Sequence, residues 1–72
     1  MSIRTGTIVS WAWGQSRAEG KVTAIHRETV HRTIKGSEIT RHGSDDDPAY
    51  EIEQDDGTLV LKLRSEVSPA GR

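Results

Sequence analysis

The chain has no cysteine and no phenylalanine, only two prolines, and one tyrosine beside two tryptophans among 72 residues. Without cysteine there is no disulfide framework, no thiolate metal site and no thiol nucleophile, so the usual staples of a small secreted domain are missing. No run approaches the roughly twenty apolar residues that a membrane-spanning helix needs, and Met1-Ser-Ile-Arg-Thr-Gly6 has no apolar core of a signal peptide. These absences point to a soluble cytoplasmic protein that does not act at a membrane. The length and the 32% hydrophobic content fit one small domain of marginal stability. The sequence predicts that this domain occupies residues 1–67, followed by a disordered tail at 68–72 with nothing to bury.

Aromatic side chains are scarce, so their placement carries weight. Trp11 and Trp13 share parity with Val9, and in a strand all three point to one face while Ile8, Ser10 and Ala12 point to the other. Turn residues divide the remainder into short segments, and no helical period of adequate length appears. The pattern predicts strands near 7–13, 20–34, 38–42, 49–54 and 58–63, the second bent by a bulge where the apolar positions shift from Val22 and Ala24 to Ile25. Pro48 closes a polar loop, His42 to Asp47, and opens a strand that places Tyr50 and Ile52 on one face. Asp56-Gly57 marks a tight hairpin turn, after which Leu59, Leu61 and Leu63 are expected on the buried face and Val60 and Lys62 opposite them. Ser65-Glu66-Val67 is expected to form one helical turn capped by Ser65. Five short, bent antiparallel strands in so few residues predict an all-β fold, a small five-stranded SH3-like barrel.

The order Gly6-x-x-Val9-x-Trp11-x-Trp13-Gly14, Gly20-x-Val22, Asp47-Pro48-x-Tyr50-x-Ile52 and Asp56-Gly57-x-x-Val60-Leu61-Lys62, closed by Ser65-Glu66, resembles the hypervirulence-associated protein Tudor-domain family. The resemblance runs from about Gly6 to Val67. It implies a Tudor-like, SH3-like barrel in a small stand-alone protein of bacterial or fungal type, and it names a fold and an association, not a reaction. Tudor domains elsewhere hold methylated lysine or arginine in a cage of aromatic rings by cation–π attraction. Here the rings available for ligand contact are Trp11, Trp13 and Tyr50. Trp11, mid-strand between apolar positions, is expected in the core, whereas Trp13 sits at a strand end where its ring can line a cleft.

Polar residues offer no catalytic constellation, since serines and acids lie in turns and tails without an oriented base, and the chain is expected not to be an enzyme. His26, His31 and His42 lack metal-ligand spacing, and Asp45-Asp46-Asp47 lacks the glycine and distal glutamate of a calcium loop, so neither metal nor cofactor is expected. The net charge of −1 hides an asymmetry: residues 1–42 carry +4 and residues 43–72 carry −5. Strands from the two halves can interleave these charges on a solvated sheet. Two binding functions stay open. One is a protein or peptide interaction module centred on Trp13, the Gly14–Glu19 loop and the loop leading into Tyr50. The alternative is weak, electrostatic nucleic-acid binding through Arg27, Arg32, Lys35 and Arg41. The oligomeric state is expected to be a monomer or a weak homodimer paired through an edge strand.

Overall fold

The computed structural model describes residues 3–70. Among them are seven strands and one short 3₁₀ turn, with no α-helix: β1 (Ile8–Trp13), β2 (Ser16–His26), β3 (Thr29–Ile34), β4 (Ser37–His42), β5 (Ala49–Glu53), β6 (Leu59–Leu63), the 3₁₀ turn Arg64–Glu66, and β7 (Ser68–Pro69). Every pairing is antiparallel. One sheet has the order β6-β5-β2-β1-β7, and β3 with β4 forms a second.

Alternation builds the main core. Val9 and Trp11 on β1, Val22 on β2, and Tyr50 and Ile52 on β5 point to one face, where Ile3 joins them. Opposite, Ser10 accepts a 2.9 Å hydrogen bond from the Arg17 guanidinium. The expected bulge is present, with the β2–β5 register shifting between Val22 and Ala24. Beside it Gly20 is packed so closely that an added Cβ would lie 2.5 Å from Ile52 Cγ2 and 2.9 Å from the Glu53 carbonyl oxygen.

The long second strand expected at 20–34 is instead two strands. The chain bends at Arg27 and Glu28, so β3 leaves the main sheet and pairs only with β4. Its turn, Lys35-Gly36, has positive φ at both residues, 51° and 79°, as a two-residue turn of type I′ requires. The segment at 38–42 is thus a hairpin partner, not a member of the main sheet. This hairpin packs Val30, Ile34 and Ile39 against Ala49, Leu61 and Leu63, a second apolar cluster on the reverse face of β5–β6. Strand β6 therefore serves two cores. Val60, expected to face away from the core, packs against the larger cluster, and Leu59, expected to be buried, is 44% exposed. The β5–β6 loop is three residues, Asp55-Asp56-Gly57, with Gln54 N–H bonded to the Thr58 carbonyl at 2.8 Å and Gly57 at φ 85°.

The turn after β6 is 3₁₀, and Ser65 does not cap it. The Ser65 amide and hydroxyl both donate to the Asp47 carboxylate at 2.8 Å, and Glu66 receives the Leu63 amide. The acidic loop is thereby pinned at Asp47. After the turn, Ser68 and Pro69 pair with Ser10 and Val9, and the Ala70 amide donates to the Ile8 carbonyl. The sequence offers these residues no side-chain partner; backbone hydrogen bonds hold them. The remainder of the tail expected to be disordered, Gly71 and Arg72, lies outside the described residues.

This last connection shapes the molecule. β6 and β7 stand at opposite ends of the sheet order, yet only Arg64–Val67 joins them. Laid flat, five strands would set their outer members about 19 Å apart, and a 3₁₀ turn advances only about 2 Å per residue. The sheet must coil so that its ends approach, although β6 and β7 do not hydrogen-bond and the ladder stays open.

Candidate functional site

Coiling brings the end of β1 towards β6. Strand parity gives Trp11 and Trp13 the same face, but the core ends at Trp11, which is 4% exposed. Trp13 follows one pleat later beside the Gly14-Gln15 turn and is 71% exposed. Leu59 occupies the equivalent place on β6, directly after the β5–β6 turn. Among the described residues these two are the exposed large hydrophobic side chains. They line the same groove, of about 330 Å³, whose floor includes Trp11, Ala18 and Val60.

Charge surrounds that apolar floor. Lys35, from the tip of the β3–β4 hairpin, Lys62 and Asp56 all line the groove. The Asp56 carboxylate accepts the Thr58 amide at 2.9 Å, and this bond, aided by nearby Lys35, holds its pKa below the usual carboxylate range. Asp56 is therefore ionised at neutral pH. A second depression of about 340 Å³ shares Ile34, Lys35, Asp56 and Leu59 with the first and reaches Thr33 and Gly57, so the two form one trough.

Of the three rings available for ligand contact, Trp11 lies in the core, as expected, and Tyr50 joins it there, only 1% exposed. Strand alternation turns their rings inward, against Val9, Val22 and Ile52. Tyr50 lines a different pocket from the two tryptophans, together with Asp45 and Asp46 of the acidic loop. Residues 16–19, read from sequence as part of a loop, begin strand β2.

The basic residues are dispersed. Arg32 Nε donates to Glu51 Oε1, and the same carboxylate has His26 Nε2 at 3.3 Å. Burial pushes the Glu51 pKa up, but the hydrogen bonds from Arg32 and His26 outweigh it and hold the group below its ordinary value. Arg41 Nε lies 3.3 Å from Glu66 Oε1. Arg27 is at the β2–β3 bend and Lys35 at the opposite end of that hairpin. Among the described residues no group of His, Asp and Glu is arranged to hold a metal ion, and no helix is long and apolar enough to cross a membrane.

The trough contains residues that the sequence reading left out: Leu59, Ile34 and Lys62. Leu59 was masked by its parity with Leu61 and Leu63. Its position two residues beyond the turn glycine Gly57, at the end of an edge strand, is the signal of exposure.

The architecture agrees with a comparison against known families. The model described as "Hypervirulence associated proteins TUDOR domain" matches residues 6–67. The chain belongs to this Tudor-domain family. Its members' fold is that of a small binding module, while the family description names no ligand. No curated protein and no solved structure matches the chain.

Proposed function

We propose that this Tudor-family chain is a non-catalytic interaction module that binds a protein or peptide segment in the trough between Trp13 and Leu59. One observation carries the reading: the two large apolar side chains left exposed among the described residues stand on the same apolar-floored groove. Isolated exposed apolar residues need no explanation, but paired ones around a concave floor with a charged rim match the anatomy of a binding site. A single exposed ring favours such a groove over a multi-ring cage.

The architecture we assign is an SH3-like barrel made from β1, β2, β5, β6 and β7, with the β3–β4 hairpin inserted between its second and third strands. The return of β7 onto β1 after a 3₁₀ turn supports it. Nucleic-acid binding has less support, because Arg32 and Arg41 are engaged by Glu51 and Glu66 and the net charge is −1. A cysteine-free chain suits the cytoplasm, and the two-residue edge strand β7 suits a monomer or at most a weak dimer.

Peptides selected from a random displayed library against the folded protein test this reading. Binding should fall by about ten-fold or more in Trp13→Ala and in Leu59→Ser, with melting temperatures near wild type. Selected peptides that bind both variants as tightly as wild type would refute it.

A further inference from the structure

The order β6-β5-β2-β1-β7 leaves the outer side of β6 without a strand partner among the described residues. Register tells which backbone groups lie on that side. The Gln54 amide donates to the Thr58 carbonyl and the Arg64 amide to the Pro48 carbonyl, both at 2.8 Å. Directly opposed residues of an antiparallel pair alternate between bonded and non-bonded positions, so Val60 and Lys62, opposite Ile52 and Tyr50, continue the bonds to β5. Leu59, Leu61 and Leu63 turn their N–H and C=O groups away from β5. Leu63 shows the direction, because its amide reaches the Glu66 carboxylate at 2.7 Å and is capped there. Leu59 and Leu61 precede that cap, along the stretch of β6 that walls the trough.

The facing wall is a strand edge too. On β1 the Ile8 carbonyl accepts the Ala70 amide and Ser10 pairs with Ser68, so by the same alternation the next outward residue is Ala12. Strand β7 begins at Ser68 and pairs with Val9 and Ser10, short of Ala12. The trough, walled by Trp11 and Trp13 from β1 and by Leu59, Val60 and Lys62 from β6, is thus the place where the coiled sheet is left open. Open edges accept extended chain.

We propose that the trough takes up a peptide as an added strand, paired antiparallel with β6 through the backbone groups of Leu59 and Leu61. The proposal rests on the trough reading and specifies the conformation and charge order of its ligand. In that register the peptide residue opposite Val60 lies over the floor of Trp11, Ala18 and Val60 and is apolar. Two positions earlier, the residue opposite Lys62 is acidic. Two positions later, the residue beside the Asp55-Asp56 turn, where two carboxylates outnumber Lys35, is basic. A parallel strand would reverse this charge order.

The test is an NMR titration of the whole chain with the blocked peptide Ac-Glu-Thr-Val-Thr-Lys-NH2. Its two threonine amides point at β6 in the proposed alignment, and its valine amide points away. The peptide should shift the Leu59 and Leu61 amide signals together with the Trp13 indole. N-methylation of the second threonine, opposite Leu59, should weaken binding roughly ten-fold, whereas N-methylation of the valine should cost far less. The charge-reversed peptide Ac-Lys-Thr-Val-Thr-Glu-NH2 should bind more weakly. Equal losses from the two methylations would overturn strand pairing, and a moving Trp13 indole in that case would leave the trough standing as a site. Equal binding of the two charge orders would overturn the antiparallel alignment. Movement of neither the indole nor the two amides would overturn the proposal, with library-selected peptides still deciding the trough itself.

Discussion

Trp11 and Trp13 are chemically identical and two positions apart, yet their environments assign them opposite work. Trp11 fills the middle of the main core, so Trp11→Ala should cost about 3–5 kcal/mol, enough to leave so small a domain largely unfolded. Trp13→Ala removes a ring that is 71% exposed, and should lower stability by less than about 1 kcal/mol. Urea melts of the two variants check the contrast, and equal losses would contradict it. Glu51 gives a pH dependence. Its folded pKa is held below the unfolded value by Arg32 and His26 against the effect of burial, so its contribution is present above the ordinary carboxylate range and is lost as pH falls through the folded value. Glu51→Gln should therefore narrow the gap in melting temperature between pH 6 and pH 3, and an unchanged gap would remove Glu51 from the account. That Trp11 is core and Trp13 lies at the rim was legible from the place of Trp11 mid-strand between apolar positions and from the glycine that follows Trp13 at the strand end. Tyr50 was less so, because alternation gives the face of a side chain but not the depth of the layer above it.

Among the elements, β1, β5 and β6 follow from alternating side chains bounded by glycine, proline and aspartate. The error at 20–34 has a definite cause. Two strands joined by a bend without glycine or proline, Arg27-Glu28, read as one, and the β-rich run Thr29 to Ile34 looks the same whether it extends β2 or leaves the sheet. Leu61 and Leu63 were placed on an apolar face, but nothing local shows that a separate hairpin covers that face while Val60 serves the larger core on the other. β7 was invisible because its two residues are held by backbone bonds, which carry no side-chain signature. The bulge at Val22/Ala24 was legible, and the close packing at Gly20 before it supplies a prediction. Gly20→Ala would drive a methyl group into Ile52 and the Glu53 carbonyl, at a cost of about 1–3 kcal/mol. Thermal melts will show it, and a Gly20→Ala protein as stable as wild type would mean the β2–β5 contact is looser than described.

For the molecule as a whole, the opposing charges of the two halves meet across the fold. Arg32 reaches Glu51, Arg41 reaches Glu66, and Lys21 stands opposite Glu53 in register. The charge asymmetry seen along the chain thus becomes a mixed surface, which is why a basic hairpin in sequence is not an open basic face in space. What remains is apolar surface around Trp13 and Leu59, from strands distant in sequence and brought together only by coiling of the sheet. Trp13 could be singled out from sequence, whereas its partner across the groove could not. The most direct test follows the indole N–H of Trp13 by NMR during parallel titrations with library-selected peptides and with oligonucleotides. Peptides are expected to move the Trp13 indole and the Leu59 methyl signals while oligonucleotides leave them in place. A still indole, with Arg27, Arg32, Lys35 and Arg41 responding to oligonucleotides alone, would contradict the interaction-module reading.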